Sequence, residues 1–92
     1  MEKLEQIEGK DWAEKIVTLL TQHILTQLRE CDERMLKYAA KYGMDFEQFE
    51  AAWKNGVIAN KHSHEVERDL MEWEGLLLER KRWFSMLRAL KP

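Results

Sequence analysis

Much that would give this chain a function is scarce or missing. It has a single cysteine, Cys31, so no disulfide can form within it. With one proline and four glycines in 92 residues, there is little to interrupt a helix. The glycines stand alone at positions 9, 43, 56 and 75, which excludes a glycine-rich phosphate loop and argues against a nucleotide site. No positive charge is in surplus: 15 basic residues face 17 acidic ones, a formal net of −2, whereas nucleic-acid binders carry a basic excess. Apolar runs are short, as in Leu76-Leu77-Leu78, and fall far below the roughly 20 residues that span a bilayer. The polar stretch from Met1 to Lys10 lacks the apolar core of a secretory signal, so the expected location is the cytoplasm.

What is present is an amphipathic pattern on a chain that is 45% hydrophobic and 35% charged, too apolar for a disordered segment. Residues 1–10 read as a flexible leader and 11–92 as one helical domain. Asp11, with Glu14 three residues on, has capping-box spacing. Val17, Leu20, Ile24, Leu28, Cys31, Met35, Tyr38 and Tyr42 then follow at steps of three and four, one stripe of a helix, with Trp12, Ile16 and Leu19 widening its start. Gly43 is a natural stop. Asp45 and Gln48 form a second capping box, opening a short helix over about 45–55 that carries Phe46, Phe49 and Trp53. Asn55-Gly56 ends it, and Val57 and Ile58 in the connector are expected to tuck against the core. Ser63 caps a third helix over about 64–90. There Val66, Leu70, Trp73, Leu77, Phe84 and Leu87 occupy the a and d positions, with Arg80 in the interior polar slot. Leu76, Trp83 and Leu90 lie beside them. The expected fold is all-α: a hairpin of two long helices, about 11–42 and 64–90, with a short connecting helix.

A two-helix hairpin buries one stripe from each partner. These stripes are wider, and the four tryptophans Trp12, Trp53, Trp73 and Trp83 are many for so thin a core, since each ring buries on the order of 150–250 Å². A surplus apolar face marks an interface, and pairing two hairpins into a four-helix-bundle homodimer would cover it. Charge points the same way. Residues 65–79 hold six acids and one base, Arg68, while residues 80–92 hold five bases and no acid. The helix dipole accounts for this, and so does a second copy lying antiparallel.

Candidate chemistry is weak. His62 and His64 sit beside Glu65, Glu67 and Asp69, but a metal needs three or four converging ligands, and Arg68 stands where the second histidine of a zincin motif belongs. Solvated loop histidines explain them better. His23 is alone beside the first stripe, and Cys31 sits on it as a small hydrophobe. The carboxylates are interleaved with bases at helix-surface spacing. A helix-turn-helix would place His64, Glu65, Glu67 and Asp69 against phosphates, where the acids repel DNA. These residues point to no enzyme, no cofactor, no metal and no nucleic acid.

The stretch Lys41-Tyr42-Gly43-Met44-Asp45-Phe46-Glu47-Gln48-Phe49, followed by Val66-Glu67-Arg68-Asp69-Leu70-Met71-Glu72-Trp73-Glu74, resembles a group of short helical bacterial and archaeal proteins. Their pattern is a Tyr-Gly-Met stop, a Phe-x-x-Phe helix and an acidic helix with Val-Glu…Asp…Trp-Glu. The resemblance spans about residues 35–80. Many members look like antitoxins encoded beside small toxins, which implies an interaction module that occludes a partner with an amphipathic helix. The expected partner or dimer interface is Trp53, Leu70, Trp73, Leu77, Trp83, Phe84 and Leu87.

Overall fold

The computed structural model describes residues 10–59 and 61–90, and all regular structure among them is helical: α1 (Lys10–Tyr42), α2 (Phe46–Lys54) and α3 (His64–Leu90). The leader expected over 1–10 lies outside the described residues, apart from Lys10, which already belongs to α1. The expected cap at Asp11 is therefore corrected. Asp11 sits inside the first turn, where its charge still suits the helix N-terminus.

Punctuation between helices follows the local chemistry. Gly43 has φ +69°, and its N–H donates to the Ala39 carbonyl at 2.7 Å, as does that of Met44 at 3.2 Å. A β-carbon is disfavoured at such a φ, so glycine is the residue that closes α1 here. The capping box is complete: the Gln48 N–H donates to Asp45 Oδ1 at 2.8 Å, and the Asp45 N–H donates to Gln48 Oε1 at 3.0 Å. α2 closes in a full Schellman turn at Gly56, φ +72°. The Gly56 N–H reaches Trp53 O and the Val57 N–H reaches Ala52 O. Ser63 Oγ accepts from the Val66 N–H at 3.2 Å, which caps α3. Ile58 packs against the core. Val57 does not; it is 74% exposed, directly after the left-handed turn at Gly56.

α1 and α3 run antiparallel, with the three hydrogen-bonded pairs in one register and the long His23 and Trp83 side chains meeting about a turn out of it. Tyr42 meets Asp69, Tyr38 meets Glu72, Asp32 meets Arg80, and His23 meets Trp83. Ile24, Leu28 and Cys31 of α1 and Leu76 of α3 are buried along the seam between the long helices, while Val66 and Trp73 of α3 cluster with Phe49 of α2 at one end, where Met35, Tyr38 and Tyr42 of α1 pack against them. Trp73 is the centre of that end. Its ring lies 5.7 Å from Tyr38, 5.5 Å from Phe46 and 5.3 Å from Phe49. The opposite end is open. The molecule extends 66 × 22 × 18 Å, with a radius of gyration of 19.7 Å, against about 12 Å for a compact domain of this length.

Candidate interaction surface

Three rows of seven-residue spacing run along α3. Val66, Trp73, Arg80 and Leu87 form one; Asp69, Leu76, Trp83 and Leu90 form the next; Leu70, Leu77 and Phe84 form the third. The expected a and d positions combine the first row with the third. The structure instead turns the first and second rows toward α1, because Leu76 is buried while Leu77 is only half-buried. The second row begins with a carboxylate, which hydrophobicity alone would not place inside.

Asp69 is admitted because α1 brings its partners. Its Oδ2 accepts from Tyr42 Oη and from Lys41 Nζ, each at 2.5 Å, and it is 6% exposed. Burial alone would raise the Asp69 carboxyl; the Lys41 and Tyr42 hydrogen bonds outweigh it and hold its pKa below the usual value. The same contact raises the Lys41 ammonium. Burial, then the bond to Asp69, pushes the Tyr42 phenol up to about 12. Tyr38, also half-buried, donates to Glu72 and is likewise pushed up to about 12, again chiefly by burial. One helical stretch further on, Arg80 Nε donates to Asp32 Oδ1 at 2.7 Å and its guanidinium stacks 4.7 Å over Phe84. These groups pin the register across the hairpin. Sequence reasoning missed Asp69; the signal was its place at the head of the row Leu76, Trp83 and Leu90, with Tyr42 ending the facing stripe.

The expected interface residues separate into groups. Trp73 is 1% exposed and lies inside its own chain, so it is corrected from partner anchor to core residue. Trp53 is half-buried and fastens the connector: its Nε1 donates to Lys61 O at 3.2 Å, and Lys61 Nζ lies 4.5 Å over the ring. Trp83 and Leu87 are half-buried on the rows facing α1, Trp83 meeting His23 edge-on at 5.6 Å. Leu70, Leu77 and Phe84 remain as a half-buried line along the flank. Beside that flank a groove is lined by Met35, Leu36, Ala39, Phe46, Trp73 and Arg80, and Leu36 there is 66% exposed.

Cys31 is buried, and burial together with the neighbouring Glu79 pushes its thiol up, which disfavours the reactive thiolate. His62 is exposed, 3.9 Å from Glu67 and edge-on to Trp53. Among the described residues no three His, Cys, Asp or Glu side chains converge as metal ligands, and no helix is long and apolar enough to cross a membrane. The chain matches no known family model, no curated protein and no solved structure. Its function is therefore argued from its own geometry.

Proposed function

We propose that this chain is an antitoxin-like protein–protein interaction module, a cytoplasmic binding protein rather than an enzyme, that acts by occluding a small toxin partner. The observation that carries this reading is the third row of α3. Leu70, Leu77 and Phe84 form an apolar line that α1 does not fully cover, next to the groove holding the exposed Leu36. A helix face of this kind binds through apolar anchors spaced along one line. The charged groups of the hairpin support it: Asp32, Asp69 and Glu72 are engaged in cross-helix bonds, so they hold the scaffold rather than face a substrate.

The test is co-expression of the full chain with the products of its neighbouring reading frames. The reading predicts that a growth-arresting neighbour is neutralised and co-purifies in defined stoichiometry, and that Leu77→Arg and Phe84→Arg abolish both while leaving helicity intact. A neighbour that neither arrests growth nor binds overturns it.

A second reading, self-association into a homodimer, is favoured by a different observation. Trp12, Ile16 and Leu19 at the start of α1 are 46%, 51% and 63% exposed, on a segment that α3 does not reach.

A further inference from the structure

The open end of the hairpin carries two features that match each other. By the register of the hydrogen-bonded pairs above, Leu90 of α3 stands level with about Leu20 of α1, and the two line a common groove. Upstream of Leu20, the described part of α1 therefore runs on without an α3 residue beside it. This overhang spans roughly ten residues, or about 15 Å. It presents Trp12, Ile16 and Leu19 at steps of four and three, one face of the helix. At its base, where the overhang joins the hairpin, lies an almost wholly apolar groove between Leu20, His23, Ile24, Trp83, Met86 and Leu90.

We propose that a second copy of this chain fills that groove, the two overhangs lying antiparallel so that Trp12 of each copy enters the groove of the other. This rests on the self-association reading and specifies its geometry: an end-to-end joint rather than a side-by-side bundle. A two-fold axis near Ile16 sets Ile16 against its own copy and brings Trp12 level with Leu20 of the second chain. Side chains on a helix lean toward its N-terminus. In the antiparallel partner that lean carries the Trp12 ring about a turn deeper, toward His23 and Trp83.

Charge agrees with the same register. Asp11, in the first turn of the overhang, falls level with the end of the second copy's α3, whose last turn carries Arg88. Area agrees as well. Trp12, Ile16, Leu19, Leu20 and Met86 are each between 45% and 63% exposed, so the joint would take a large part of this end's apolar surface out of water, and the aliphatic stems of Lys15 and Arg88 extend it.

Sedimentation equilibrium over a wide concentration range tests the joint, using the full chain, Trp12→Glu, and the cysteine-substituted variants Ile16→Cys and Leu77→Cys under mild oxidation. The native thiol, Cys31, is buried, so the unsubstituted chain is the blank for cross-linking. The expected result is a dimer whose dissociation constant rises at least about tenfold in Trp12→Glu, with far-UV circular dichroism unchanged, and an intermolecular disulfide in Ile16→Cys but not in Leu77→Cys. A dimer that ignores Trp12→Glu and cross-links through Leu77→Cys overturns the end-to-end joint while leaving self-association standing. A chain that stays monomeric at every concentration overturns both.

Discussion

Tyr42 donates its phenolic hydrogen to the Asp69 carboxylate at 2.5 Å, joining the last turn of α1 to the second turn of α3. Lys41 reaches the same oxygen from the side chain next to it. This contact tells α3 which of its rows to bury, and it fixes how stability should depend on acid.

Replacing Asp69 with Ala should cost about 1–3 kcal/mol, because Tyr42 loses a buried acceptor. The larger penalty of breaking a fully buried pair does not apply, since the Lys41 side chain is 41% exposed and rehydrates. That loss would lower the melting temperature by roughly 4–8 °C per kcal/mol in a domain this small. The sign with pH follows from the depressed folded-state pKa. The contribution is full above the unfolded carboxylate value, about 3.9, and is lost as pH falls through the lower folded value. Thermal melts from neutral pH down to below that value should therefore fall more steeply for the natural chain than for Asp69→Asn. Parallel curves would show that the ionised form of Asp69 contributes nothing.

The two tyrosines give the alkaline counterpart. Both are pushed up to about 12, so the folded state favours the neutral phenol. Stability from this source is full below the unfolded value near 10 and declines as pH rises toward 12. Absorbance at 295 nm should show no phenolate step near pH 10 while the helical signal persists. Tyr38 and Tyr42 are the only tyrosines in the chain, so an early step with intact helices would contradict the buried hydrogen-bonded geometry.

Two glycines should respond to Ala with opposite sign. At Gly43 a β-carbon meets no atom within 4 Å, so the cost is purely the positive φ, about 1–2 kcal/mol. Gly75 lies within α3 with equally open space around it, and Gly75→Ala should stabilise by about 0.5–1 kcal/mol. Chemical denaturation of both variants checks the pair; a gain at Gly43 would mean that α1 does not end in a left-handed residue.

Trp73 and Leu77 separate folding from binding. Trp73→Ala empties the centre of the aromatic cluster and should cost about 3–5 kcal/mol, much of the stability of a small domain. Leu77→Ala removes a half-buried side chain and should cost about 1 kcal/mol or less. Denaturant midpoints should rank the two in that order, and comparable losses would place Leu77 inside the core instead.

The stops and starts of the helices were legible from residues because each is a local event. Gly43, Gly56, Asp45 with Gln48, and Ser63 act on backbone groups within a few positions, and the structure bears these out. So does the all-helical hairpin with its short middle helix. Less was legible where distance along the chain is large. Trp73, expected on a binding face, proved to be core. Val57, expected inside, faces out, since the left-handed residue before it, Gly56, redirects the chain as α2 closes.

The sequence by itself determined where α1 stops, where α2 and α3 start, and that the long helices carry more than one apolar row, since periodicity and capping are properties of neighbouring residues. Only the tertiary structure decided which rows meet. By hydrophobicity, Leu70 outranks Asp69, and the third row of α3 should have faced α1. Lys41 and Tyr42, some 27 residues away along the chain, reverse that ranking by satisfying the carboxylate. The leucine row then remains on the flank, where it can meet another chain.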